Sequence, residues 1–567
     1  MKRRIVIFIV VALVCLSLVG MAACGSIGSN SNGASSGSNG NDTASSGGTD
    51  TSTSTAEAVT DTSVSADETT DEFTIETEDG AYTQSGTVYT ISAAGTYTLS
   101  GLLNGQIVVE AGDEDAVELD LNGTTIVCDS DSPIKILSAD SVDISAKKDT
   151  ENVIKDTRST KSVDNDLYGE GAIYAKADLK LKGNGTLVVT GTYNNGVHTT
   201  KDLTIKNLSL KVTAYNNAIK GNDSITVESG TVVAISTNGD GIETSNTDAN
   251  KNGETRGDIV ISGGSVAVYA AGDGIQAAHN FELSASGEEA PALTVYTGSY
   301  SGYTASNAST TSYKGIKVQN ELNVVAGSLT INSYDDGLHA DYGTVFTAGG
   351  NGQGTINISG GTTTLRVYSP TTKTSGGRMG PGGWGGQQSV TGADGIHADY
   401  KLNISGGTVN VDSAYEGLEG NLITISGGTT YVSANNDGIN ACSGQTTPLI
   451  TVSGGYLDVT VSPSGDTDGI DSNGSYQQTG GIVIARGPNN QNMAALDVDE
   501  RGTATISGGT LVVLGYANVQ TSGSVRTYSL SLHSSGSHTI TVDGTQYTFS
   551  NAYAYGRTTV YSSVTVS

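Results

Sequence analysis

Carboxylates recur at a fixed place in this chain. Glu416, Glu419, Asp437, Asp468 and Asp471 fall in three successive copies of one short phrase: a small or acidic residue, Gly or Ala, then Ile, Leu or Val, then an outward polar residue. If the copies stack about 5 Å apart, their carboxylates repel unless a cation or a raised pKa relieves them. Calcium is the expected cation, because it is hard and prefers oxygen ligands. Asp248-Ala249-Asn250-Lys251-Asn252-Gly253 adds a local pattern. It fits the first six positions of a calcium loop in which alternate side chains (here Asp248, Asn250 and Asn252) converge on one ion. Position twelve is Ile259 rather than Glu, so Glu254 or Asp258 would have to substitute. Asp466 to Asn473 is a second acidic stretch that reads equally as a solvated turn.

Histidines 198, 339 and 397 occupy the outward position of their phrases, the last two within near-duplicates, Asp336-Gly-Leu-His-Ala-Asp-Tyr342 and Asp394-Gly-Ile-His-Ala-Asp-Tyr400. One histidine per copy, with no third nitrogen or sulfur ligand, is a weak pattern for a transition metal. Tyr193, Tyr215, Tyr313, Tyr334 and Tyr415 precede the phrase and suggest a partial aromatic stripe, able to stack on sugars or on itself. Trp384, the sole tryptophan, lies in a glycine-rich insertion, either as a sugar platform or folded down on the body. The expected carbohydrate contacts are Trp384, Tyr334, Tyr415, His339 and His397. A polysaccharide lyase would instead need calcium to acidify a uronate C5 proton and a Lys or Arg to abstract it. Lys220, beside Glu243 and the 248–253 loop, is the better placed lysine, ahead of Lys317.

The elements that position these residues follow from the spacing of the phrase. Between small residues of successive copies, from Ala172 to Gly469, the intervals are 24, 22, 23, 33, 41, 22, 58, 22, 21 and 31, a period of about 22 with insertions. Between phrases runs a second strand with alternating apolar residues and a Ser-Gly-Gly corner, at 262–264, 359–361, 405–407, 426–428, 453–455 and 507–509. Period two within strands and a fixed period between them predict an all-β, right-handed, single-stranded parallel β-helix of about a dozen coils, roughly 55 to 60 Å long. The Leu-rich consensus, Asn ladder and helical return of leucine-rich repeats are not evident. The residue after Ile or Leu then forms an outward column: Tyr174, His198, Lys220, Glu243, Gln276, Lys317, His339, His397, Glu419, Asn440, Asp471 and Asp497. Contact with water alone would also make such a column polar.

Of 567 residues, 77 are Gly and 7 Pro, and the charge balance is 28 basic against 58 acidic. A net charge of −30 and the lack of a basic stripe argue against a nucleic-acid partner. Residues 1–24 have a basic start, an apolar run from Ile5 to Ala23 and then Cys24, as in a secretory signal. Met21-Ala22-Ala23-Cys24 resembles a bacterial lipobox that would lipidate Cys24 and anchor the chain to the membrane; an uncleaved anchor is the alternative. Either places the body outside the membrane. Cys128 and Cys442 are read as separate buried thiols. Residues 25–72 read as a Ser/Gly/Thr tether, 73–165 as N-terminal capping coils, 166–514 as the repeats and 515–567 as a C-terminal β cap.

The Asp-Gly-Ile-x-Ala phrases, Ser-Gly-Gly-Thr corners, glycine-rich Trp/Met insertion, lipobox and tether together resemble the bacterial carbohydrate-binding β-helix lipoproteins, over roughly residues 73 to 550. The resemblance implies a pectate-lyase-like fold that binds calcium and plant cell-wall polysaccharide, both cellulose and acidic galacturonan (pectin), without established cleavage. It implies no individual ligand residues. A strongly acidic body repels polygalacturonate unless calcium bridges the two, so binding of acidic sugars is expected to require calcium. A calcium-dependent pectate lyase and a structural surface adhesin are the alternatives.

Overall fold

The computed structural model describes residues 64–159, 170–287, 289–298, 312–342, 353–368 and 392–567. Among these the regular structure is strand alone, and nearly all of it joins one long, mostly parallel sheet. Each strand pairs with the equivalent strand of the next copy rather than with its sequence neighbour. Gly171–Ala175 pairs with Asn195–Thr199, Asp178–Gly183 with Asp202–Lys206, and Thr186–Gly191 with Leu208–Ala214. The chain therefore winds through three faces per turn, a β-helix-like solenoid. The first face carries the Asp-Gly-Ile phrase. The third starts just after the Ser-Gly-Gly corner.

Alternation within each strand sends every second side chain inward, where copies stack. Ile173, Val197, Ile219, Ile242, Ile275 and Ile316 form one such file, each fully buried, within an apolar interior that runs unbroken from Ile91 to Ala517. Burying each of these side chains stabilises the fold by about 1.5–3 kcal/mol.

Two glycines show why the repeat is so rich in them. In the phrase, a Cβ on Gly438 would lie 2.1 Å from Val459 Cγ1 and 2.5 Å from the Gly469 carbonyl oxygen, so the close approach of coils leaves no room for one. At the corner, Gly428 has φ +73° and its Cβ would sit 2.7 Å from the Gly406 backbone.

Antiparallel strands finish both ends. Thr74–Glu76 pairs with Gly95–Asn104, and Thr558–Ser562 pairs with Thr510–Leu514. The hairpin of Gly536–Val542 and Thr545–Asn551 packs Ile540 and Phe549 with Ile484 and Val512 of the third face, on their outward side. The tether expected to reach residue 72 is docked from residue 64 onward. Val64 is buried against Val233, Ile235 and Tyr269, the Asp67 N–H donates to Glu151, Glu68 pairs with Lys155, and the Thr69 N–H donates to Thr125 Oγ1. An apolar residue, an acid facing a lysine and backbone N–H groups give this stretch partners that its Ser/Thr composition hides. Cys128 is a free, buried thiol as expected, whereas the buried Cys442 is disulfide-bonded, though not to Cys128, and so is not the separate thiol its isolation in the sequence suggested.

Candidate functional site

The outward column read from the repeat is a registered column in the sheet. Tyr174 pairs with His198, then in turn Lys220, Glu243, Gln276, Lys317, His339, His397, Glu419, Asn440 and Asp471. Three residues earlier in each phrase runs a second file, which sequence reasoning missed. The Asn195 Oδ1 accepts the Asn217 N–H at 3.1 Å, Asn217 Oδ1 the Asp240 N–H at 2.9 Å, and Asp240 Oδ1 the Asp273 N–H at 2.8 Å. Downstream, Asp336 Oδ1 accepts from Asp394, Asp394 Oδ1 from Glu416, Asp437 Oδ1 from Asp468, and Asp468 Oδ1 from Ala494. This is a side-chain ladder of the kind the sequence was read to lack, built from Asp as well as Asn. It supplies acceptors to backbone N–H groups that burial would otherwise leave unpaired.

The two files meet around the duplicated phrase. The imidazoles of His339 and His397 stack with centroids 4.7 Å apart and planes 17° from parallel. His339 lies 2.7 Å from Asp336 through Nδ1 and 2.7 Å from Asp341 through Nε2. His397 repeats this with Asp394 at 3.1 Å and Asp399 at 3.2 Å, and its Nδ1 is also 3.0 Å from Glu419. On the preceding coil Lys314 pairs with Asp336 at 2.8 Å and Asp335 at 3.1 Å. Burial would pull down the Lys314 ammonium's pKa, but Asp336 and Asp335 reverse this and raise it. Burial would raise Asp336, yet the Lys314 ammonium and the His339 hydrogen bond hold it well below the usual carboxylate range. Burial disfavours charged imidazole at His397, but Glu419, Asp394 and Asp399 push its pKa well up.

Beyond His397 the column carries Glu419, Asn440 and Asp471; burial would raise Glu419, but the His397 imidazole holds it down, whereas the acids that follow have no such partner among the described residues. Burial, then Glu419 and Asp394, push Glu416 well up; burial, then Glu416 and Asp468, do the same to Asp437. Asp468 is pushed up to about 8 and Asp471 to about 7, burial being the largest cause in each. Two buried oxygens in this stretch have no hydrogen-bond partner: Glu419 Oε1 and Asn440 Oδ1, on residues in register on successive coils and each only 3% exposed. Their neighbours are spoken for, since Asn440 Nδ2 donates to Glu416 Oε2 at 2.9 Å. Among the described residues three groups place ligand atoms within 4.8 Å of one another: Asp336/His339/His397, His339/Asp341/Asp399 and Asp394/His397/Glu419.

A family model described as carbohydrate-binding domain-containing protein matches residues 85–369 and 382–555, a span that includes both files and the histidine pair. The chain belongs to this family. A member from Acetivibrio thermocellus, also described as a carbohydrate-binding domain-containing protein, is 37% identical over 126 residues, 22% of this chain and 44% of that protein. The chain thus spans less than half the length of that relative. A solved structure described as the polysaccharide lyase-like protein from C. thermocellum, gadolinium derivative, aligns over 44% of this chain and 92% of the other, at 30% identity and a TM-score of 0.37.

The other residues singled out in the sequence of this family member are scattered. Lys220 Nζ sits 2.8 Å from Glu243 Oε2, to which Asn217 also donates. Asp240 and Asp273 occupy the ladder on the next two coils, where Lys317 is the lysine that acts on both; Asp240 is pushed up to about 7 by burial, Asp273 and Glu243. In the 248–253 loop, Asn250 Oδ1 accepts from the Asn252 and Glu254 N–H groups and its Nδ2 donates to Glu254, so the carboxamide closes its own turn. The loop thereby takes up with backbone the oxygen that a calcium loop would offer an ion. Tyr334 is half-buried beside Tyr368, and Tyr415 is half-buried over Gly392, so neither presents a whole free ring. Tyr313 and Tyr193 are buried, whereas Tyr431 and Tyr368, absent from the sequence reading, are 45% and 41% exposed. Cys24 and Trp384 lie outside the described residues.

Proposed function

We propose that this chain is a non-catalytic, extracellular protein that binds acidic plant cell-wall polysaccharide, polygalacturonate in the first instance, through calcium held by the acidic end of its column. The observation that carries this reading is the pair of buried, unpartnered oxygens on Glu419 and Asn440, set among Glu416, Asp437, Asp468 and Asp471. A buried acceptor with nothing to accept costs about 1–3 kcal/mol, and a hard cation removes that cost while neutralising the carboxylates that crowd it. Family membership supports the carbohydrate, and the acidity of the chain supports an ion between two polyanions. The leader supports export, lipidation at Cys24 and display from a membrane surface on a tether. A right-handed coil is the hand that parallel β connections favour.

The lyase reading has one observation in its favour, the closeness of Lys220 to Glu243, whose neighbour Asp240 is itself crowded by Asp273. The same ion pair ties up the ammonium that would have to act as a neutral base. One experiment separates the readings. The chain is incubated with polygalacturonate and with cellulose, with and without calcium, following its depletion from solution and the ultraviolet absorbance of unsaturated chain ends. Calcium-dependent retention without new absorbance is the expected result. Calcium-dependent growth of absorbance that disappears in Lys220→Ala would make the protein a lyase.

A further inference from the structure

The duplicated histidine phrase does work that a calcium site does not explain. His339-Ala340-Asp341 and His397-Ala398-Asp399 lie on adjacent, paired coils although 58 residues separate the histidines in sequence. Each imidazole has an inner and an outer side. On the inner side Nδ1 faces a buried ladder aspartate, Asp336 or Asp394, whose other oxygen already accepts a backbone N–H from the next coil. Those aspartates are fixed in place, and each fixes its ring in turn. On the outer side Nε2 faces Asp341 or Asp399, neither of which is locked into the ladder.

We propose that His339 Nε2, His397 Nε2, Asp341 and Asp399 form a site for a divalent first-row transition ion of the zinc type, separate from the calcium sites. Two imidazole nitrogens and two carboxylate oxygens are the borderline donor set that such ions favour over calcium. A metal-bound histidine typically donates its second ring N–H to a carboxylate, which sets the tautomer and holds the ring, and Asp336 and Asp394 stand in that position here. Donors around a tetrahedral ion with bonds of about 2.0–2.2 Å lie about 3.3–3.6 Å apart, so the outer nitrogen–oxygen pairs, hydrogen-bonded at 2.7 and 3.2 Å, need to open by only a fraction of an ångström to admit one. The His339, Asp341 and Asp399 donors fall together within 4.8 Å, and His397 Nε2 lies 3.2 Å from Asp399 Oδ1 on the stacked neighbouring ring. The aspartates are 33% and 26% exposed, so an ion can enter from solvent. On binding, it replaces the protons shared between each Nε2 and its aspartate, and these leave to water. The ion would clip together two adjacent coils whose histidines are 58 residues apart in sequence.

The test uses the full chain, stripped of metal and then saturated with calcium. Zinc is titrated by calorimetry and cobalt(II) by its visible absorption. The expected result is one zinc equivalent that millimolar calcium does not displace, with a cobalt spectrum showing nitrogen ligation. Asp341→Asn/Asp399→Asn, which changes only the outer and more exposed donors, should weaken zinc binding at least 30-fold. It should leave the calcium-dependent rise in melting temperature intact. His339→Gln/His397→Gln should abolish the cobalt band. Absence of zinc binding in calcium, or equal binding by the chain and the aspartate variant, would overturn the proposal. Loss of calcium stabilisation with zinc binding retained would sink the calcium reading alone.

Discussion

Asp468→Asn is the perturbation that most directly tests the acidic column. Asp468 Oδ1 accepts the Ala494 N–H, and an asparagine oxygen can do the same, so the ladder survives while the charge goes. With its carboxyl pushed from 3.8 to about 8, Asp468 binds its proton more tightly folded than unfolded. Without calcium it therefore contributes most to stability below about pH 4, and that contribution is lost as pH rises through about 8. At about 1.4 kcal/mol per pH unit the loss is up to about 6 kcal/mol, trimmed by its partial exposure. With unfolding entropy near 2 cal/mol/K per residue, this is on the order of 5 °C for a solenoid melting as one unit. Thermal unfolding in EDTA, followed by circular dichroism from pH 5 to 8.5, should show the parent chain losing stability with pH and the variant losing markedly less. Calcium should flatten the parent's slope and raise its melting temperature at pH 8 more than the variant's. Identical pH slopes for the two chains in EDTA would refute the argument that this carboxylate is strained by burial and relieved by an ion.

Three further outcomes follow from the same geometry. Asn217→Ala removes the acceptor of the Asp240 N–H and a donor to Glu243, and should cost about 1–3 kcal/mol in chemical denaturation at any calcium level. Gly438→Ala forces a methyl to within 2.1 Å of Val459 Cγ1, and should destabilise by about 1–3 kcal/mol or more, seen as a lower melting temperature, with calcium affinity reduced because Asp437 is displaced. Tyr431→Ala removes a ring 45% exposed on the third face, and should reduce retention on cellulose while leaving calcium-dependent retention on polygalacturonate unchanged.

The period of the repeat was legible because two physical requirements repeat with it. Stacked coils demand a branched aliphatic at one position and glycine, or at most alanine, at the position before it, so pairs like Gly438–Ile439 and Ala218–Ile219 recur wherever the chain passes that point. The column of outward residues followed by counting. What counting could not supply was which side-chain oxygens face a neighbouring coil. The ladder was missed because its members, Asn195, Asp240 and Asp437, look like polar turn residues, and their partners are backbone groups 22 to 33 residues away. The 248–253 loop shows another limit of spacing. The pattern suits an ion, and it equally suits an Asx turn in which Asn250 Oδ1 accepts from the backbone.

The ladder also separates what the fold requires from what it merely tolerates. The hydrogen bond needs one oxygen two bonds from Cβ, and Asn195 and Asn217 provide it without charge. Asp394, Asp437 and Asp468 do the same task while bringing a carboxylate into a place where burial and like neighbours push its pKa up. Burying an unpaired charge is costly, and a neutral isostere is available one functional group away. Their charge therefore serves something other than the backbone. In the histidine region it is partly met by Lys314 and the imidazoles. From Glu416 to Asp471 no described basic side chain forms an ion pair with Glu416, Asp437, Asp468 or Asp471, and the unpartnered oxygens of Glu419 and Asn440 lie in that stretch. Glu419 meets one positive group, His397, while the four acids around it pair with none, which is a condition that a bound cation would relieve.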